Sequence, residues 1–176
     1  MFDDSVLATY ITQLVKGMRG YIHETSIYRD FPTTKIRIHR ELTGCQGGIK
    51  TISGVVVPYM EISTPYITDY TLTGFIEYTH ICNDKEIGSI PKPCSWRHTV
   101  ALVICHEMAH SIDMMHENYK VHGHTIPEMY CTWSVDLIEA QYEIQKQYHG
   151  ARWQFVYRTL RNEFVNRKPK EFWEQG

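Results

Sequence analysis

The chain has 176 residues, 43% of them apolar and 22% charged, with a formal net charge of −2. Those values fit one globular domain over residues 1–176 with enough apolar material for a core, and they argue against a global basic field for nucleic acid. The five cysteines (Cys45, Cys82, Cys94, Cys105 and Cys131) are odd in number and form no C-x-x-C pair, so neither a disulfide framework nor a zinc ribbon is expected and reduced cytoplasmic thiols fit better. The N-terminus lacks a basic segment leading into an apolar run. No stretch reaches the ~18 apolar residues of a membrane span, so a cytoplasmic protein with no membrane contact is expected.

Residues 5–22 place Val6, Leu7, Tyr10, Ile11, Leu14, Val15, Met18 and Ile22 at three- and four-residue steps, which predicts an amphipathic helix. Asp3, Asp4 and Ser5 offer capping oxygens at its start. Residues 35–42 alternate apolar and polar side chains and predict a strand. Gly44, Gly47 and Gly48 suggest a turn. The β-branched stretch 49–62 predicts one or two strands broken near Gly54 and Pro58, and 71–82 a further strand. Ser95 can cap a helix from Trp96 to about His116, followed by a polar loop over 117–124. A second long helix is predicted over about 126–148, with Thr125 and Glu128 at capping-box spacing. His149-Gly150 interrupts it, and a last helix runs from about Ala151 to Val165. This order predicts an α+β domain: an N-terminal helix, a small antiparallel sheet, then helices.

The chemistry is carried by His106-Glu-Met-Ala-His110, set inside the apolar helical stretch. On a helix, i and i+4 share a face one turn apart, so two imidazoles can meet one Zn²⁺. Glu107 falls beside them, where it can reach a water on the metal and act as general base in hydrolysis of a peptide bond. A catalytic zinc site needs a third protein ligand and keeps one position open. His116 has the metzincin spacing, although that motif turns its chain at a glycine where this sequence has Asp113. His122 and His124 flank Gly123 in the expected loop. Glu139 would supply an acidic ligand from the next helix, as in gluzincins. His149 is the remaining candidate.

The segment His149-Gly-Ala-Arg-Trp153, followed by Tyr157-Arg-Thr-Leu-Arg161, together with the His-Glu-x-x-His pair, resembles the SprT family of zinc metallopeptidases, which includes the Spartan protease domain. The resemblance covers residues 100–165, within a metal-binding part of about 95–165. It implies a zincin-like fold, His149 as third zinc ligand beside His106 and His110, and Gly150 as the point where the backbone turns His149 toward the metal. The zinc ribbon that family members often carry is missing here, and the His110–His149 interval is long.

The remaining candidates have plainer readings. Trp153, Tyr157 and Leu160 share a helical face expected to pack into the core, with Tyr157 alternatively an oxyanion donor. His39, His80 and His98 are isolated, and Cys105 points about 100° away from His106. Arg152, Arg158, Arg161, Arg167, Lys168 and Lys170 form a local basic stretch that could contact DNA phosphates. Two functions follow as expectations: a zinc metallopeptidase acting on protein or peptide substrates, some of them DNA-associated, or a zinc-containing DNA- or protein-binding module with little turnover.

Overall fold

A computed structural model describes residues 3–41, 44–73, 93, 95–122 (backbone alone for 117–122) and 149–174. The first element is α1 (Asp4–Glu24), whose N-cap Asp3 accepts a hydrogen bond from the Ser5 amide at 2.7 Å. Leu7, Ile11, Val15, Met18 and Ile22 form its buried stripe, as the periodicity predicts. Each such side chain contributes about 1.5–3 kcal/mol on burial.

The sheet has three strands, β1 (Lys35–His39), β2 (Gln46–Ile52) and β3 (Val55–Ser63), in the order β1-β3-β2. It is mixed, not antiparallel as the sequence suggests: β1 and β3 are parallel, β2 and β3 antiparallel. The cause is the tight hairpin at Ser53-Gly54, where both residues take positive φ (51° and 77°) and fold β3 directly back on β2. The returning strand then runs in the direction of β1 and slots between the two. Pro58 lies before the first β1 partner, since Lys35 pairs with Tyr59. At that position β3 has β2 as its one strand neighbour, so the missing proline N–H breaks no three-stranded ladder.

Gly47 and Gly48 belong to β2 and not to a turn. Their role is close approach. A Cβ on Gly47 would sit 2.1 Å from the carbonyl oxygen of Glu107, and one on Gly48 would sit 3.1 Å from Met114 Sδ. The strand therefore lies hard against the helix that carries the histidine motif.

Helix α2 (Thr64–Thr73) follows β3 at once, so residues 71–73 end a helix where a strand is expected. The threonine-rich composition favours strand, but Thr68, Thr71 and Thr73 bond back to carbonyls four residues earlier and Ile67 docks in the core. Residues 74–82 of that expected strand lie outside the described residues, as do His80, His124, Glu139 and the helix expected over about 126–148.

Helix α3 (Trp96–His122) begins with the Ser95 hydroxyl accepting from the His98 amide at 3.4 Å. It runs on to His122 through residues expected to be loop. From Val100 to Ala109 it is buried on every side, the pattern of a central helix and not of an amphipathic one. α1, α2, β2 and β3 pack around it, as does α4 (Ala151–Arg161). A π-helical turn (Asn162–Asn166) continues α4, and a short α5 (Lys170–Glu174) closes the described chain. Helices and sheet share one apolar cluster, giving the α+β class that the element order predicts. No helix among the described residues is long and apolar enough to cross a membrane.

Candidate metal centre

His106 and His110 lie one turn apart on α3, in its buried half. The Ser111 hydroxyl fixes that turn from below, bonding the Tyr59 carbonyl of β3 at 3.3 Å and the Glu107 carbonyl at 3.1 Å. His149 arrives from a separate part of the chain, one residue before Gly150, the N-cap of α4. Its carbonyl accepts from Gln154 Nε2 at 2.9 Å, which holds the main chain at the foot of α4. Gly150 takes φ −64° and ψ 176°. Any L-residue adopts that conformation, so the turn that brings His149 inward does not use glycine's special freedom.

The ligand atoms of His106, His110 and His149 all lie within 4.8 Å of one another. His106 Nε2 and His110 Nε2 are 3.2 Å apart, near the edge of about 3.3 Å for a tetrahedron with Zn–N bonds of about 2.0–2.1 Å. Two imidazole nitrogens that close share either one proton or one cation. Burial, then the neighbouring His106 and His149, hold the His110 imidazole well below the ordinary histidine value. A neutral ring keeps the lone pair that a metal needs. The residues present therefore fit a metal ion, and a set of three imidazoles suits zinc among several transition metals.

Trp153 lines the cluster, its ring centroid 4.9, 5.2 and 4.4 Å from those of His106, His110 and His149. Tyr157 stacks on Trp153 at 5.0 Å. Trp153, Tyr157 and Leu160 are fully buried, which matches the core-packing reading of their shared face. What the amphipathic pattern does not reveal is that this packing wall is also the wall of the histidine cluster.

Glu107 is 7% exposed and follows His106 on α3. Its main chain meets Gly47 of β2. Cys45, just before β2, is near enough for the Glu107 carboxylate to act on its thiol. Burial first, and then that carboxylate, push Cys45 up to about 12. Among the described residues the ligand atoms that gather are those of the three imidazoles, and Cys45 is not one of them. Cys105 is fully buried in the core, as its helical angle suggests.

The competing third ligands fall out differently. α3 does not turn at Asp113, so His116 stays on the helix beyond His110 and cannot fold back as in metzincins. Its Nδ1 accepts from Arg152 Nη1 at 3.0 Å, and Arg152 Nε donates to Asp113 Oδ1 at 2.6 Å. His122 ends α3; twelve residues past His110 places its backbone about 18 Å further along the axis. His39 lies on β1, where its Nδ1 accepts from the Glu41 amide, and His98 stacks on Trp173 at 4.8 Å. Neither joins the cluster.

The basic stretch is largely occupied within the fold. Arg152 pairs with Asp113, Arg167 with Glu163 and Lys170 with Glu174. Arg161 is buried, and Lys168 lies over the Phe172 ring. Sequence reasoning places Arg152 in this stretch and treats Asp113 as a failed glycine; their pairing across two helices is visible only in the fold. No family model, no curated protein and no solved structure matches the chain, so its reading rests on the α+β frame and a buried cluster of three histidines able to hold a metal ion.

Proposed function

We propose that this chain is a zinc-dependent metallopeptidase with a zincin-like, SprT-like arrangement, in which His106, His110 and His149 hold the metal and Glu107 is the general base. The observation that carries the reading is the meeting of His149, 39 residues beyond His110 in sequence, with the i, i+4 pair of a buried helix. A structural zinc site takes four protein ligands, whereas a catalytic one takes three and leaves a position for substrate or water. Among the described residues, three histidines beside a glutamate match the second pattern.

A zinc ion there would supply Lewis acidity, polarising a peptide carbonyl and making water acidic enough to be deprotonated near neutral pH. The Glu107 carboxylate takes the proton from water as oxygen adds to the carbonyl carbon. The same carboxyl then delivers that proton to the departing amine nitrogen as the C–N bond breaks. β2 holds the Glu107 main chain in place through the close contact at Gly47. Trp153 and Tyr157 keep water from the protein side of the histidines.

The test is Glu107→Gln, which keeps shape and removes the base. Zinc content should stay at the unmodified level while cleavage of unfolded protein substrates falls by about 10²–10⁴-fold, the usual contribution of a positioned general base. Full cleavage by Glu107→Gln would refute the assignment. The alternative of a DNA-binding module with little turnover draws less support, because most of the basic stretch is already paired or buried. The exposed side chains of Arg167 and Lys170 are where the basic stretch would meet DNA-associated substrates.

A further inference from the structure

Helical hydrogen bonds fix His106 and His110, but His149 sits outside α4, ahead of its N-cap. Something must hold the foot of α4 at the right height and rotation against α3. Trp153 and Tyr157 pack there, but apolar contact tolerates sliding. Arg152 stands in the first turn of α4, three residues after His149. Its guanidinium reaches α3 at two points one turn apart: Nε donates to Asp113 Oδ1 at 2.6 Å, and Nη1 donates to His116 Nδ1 at 3.0 Å. Two bonds from one rigid planar group fix rotation as well as distance, which a lysine ammonium cannot do. The Asp113 side chain is 13% exposed and that of Arg152 31%, so the pair is partly shielded from screening by salt and water. Asp113 is also the next residue on the His106–His110 stripe, at the i+7 position from His106. The contact is thus an extension of the metal-binding face.

We propose that Asp113 and Arg152, with His116 as second acceptor, are positioning residues that set His149 against His106 and His110 and so determine how tightly the centre holds its metal. This rests on the reading of the three histidines as a metal centre. Partners behind metal ligands commonly change metal affinity by about 10–100-fold when removed, and that is the size of effect expected here. The same residues account for two oddities of the sequence: an aspartate where a metzincin has its turn glycine, and an extra histidine that stays off the metal.

The experiment uses the full chain and its Arg152→Met, Arg152→Lys and Asp113→Asn variants, with Arg167→Met as a control that removes an exposed i, i+4 pair. Zinc affinity is measured by competition with a chromophoric chelator, and the visible spectrum is recorded with cobalt(II) in place of zinc. Arg152→Met should bind zinc about 10–100-fold more weakly, with a cobalt spectrum shifted toward that of His149→Ala. Arg152→Lys should not restore either. Asp113→Asn, which keeps shape and loses charge, should fall between, and it carries the comparison should Arg152→Met fail to fold. Arg167→Met should match the unmodified chain. Zinc affinity within twofold of the unmodified chain and an unchanged cobalt spectrum, in whichever of these variants folds, would overturn the positioning role while leaving the metal centre intact. Failure of the unmodified chain to bind zinc at all would overturn both.

Discussion

Replacing Gly47 with alanine probes the tightest contact between the sheet and the motif helix. The added Cβ would fall 2.1 Å from the Glu107 carbonyl oxygen and 2.7 Å from its carbonyl carbon and Cα. Comfortable separation between such atoms is about 3.5 Å, so strand or helix must retreat by more than about 1 Å. Neither can do so cheaply, because both partners are main chain and α3 is enclosed on every side in that region. Overpacking of this kind costs about 1–3 kcal/mol. The upper end is expected here, less about 0.5–1 kcal/mol that alanine regains over glycine in a strand. Gly48→Ala provides the internal comparison. Its Cβ would meet Met114 Sδ at 3.1 Å, and a thioether can swing aside, so the net change should be under about 1 kcal/mol by the same bookkeeping. Urea unfolding of both variants, read as a midpoint shift at constant slope, measures the difference. Equal stability of Gly47→Ala and the unmodified chain, or a larger loss for Gly48→Ala, would refute the close packing of β2 on Glu107.

The remaining predictions concern ligands and pH. His149→Ala should lose stoichiometric zinc while His116→Ala should keep it, with at most the weakening expected of a positioning partner; the reverse order in metal analysis would favour a metzincin-type site. Glu107→Gln should keep zinc and lose cleavage. His98 gives a prediction free of the metal. Burial, with the Arg161 charge adding to it, lowers its imidazole below the ordinary 6.5. The unfolded chain therefore takes up a proton first on acidification, so the stability is complete above about 6.5 and drains away as pH falls toward the folded value. His98→Phe, which can keep the stack on Trp173, should flatten that part of the profile; identical slopes between pH 7.5 and 5.5 in urea titrations would contradict it.

The parts of this fold that sequence makes legible are those set by local pattern. The α1 stripe, the Ser95 cap, the β1 alternation and the His106–His110 face each follow from spacing alone. What sequence hides is set by contacts distant in the chain. Gly47 and Gly48 look like a turn because their reason lies in α3. The end of α2, residues 71–73, looks like the start of a strand because threonine favours one, until Ile67 and the core hold the helix. The order of the strands depends on which gap the β2–β3 hairpin fills. The meeting of His149 with His106 and His110 is what the family resemblance implies, while spacing alone leaves His116, His122, His124 and Glu139 open beside it. α3 runs straight through Asp113 and so keeps His116 away from the cluster, where it accepts from Arg152.

The most direct measurement is a crystal structure of the zinc-loaded chain, with anomalous data collected at the zinc edge. The account predicts one ion bound by imidazole nitrogens of His106, His110 and His149, with no fourth protein ligand and the Glu107 carboxylate beside the open position. An ion held without His149, or completed by a fourth side chain, would contradict it.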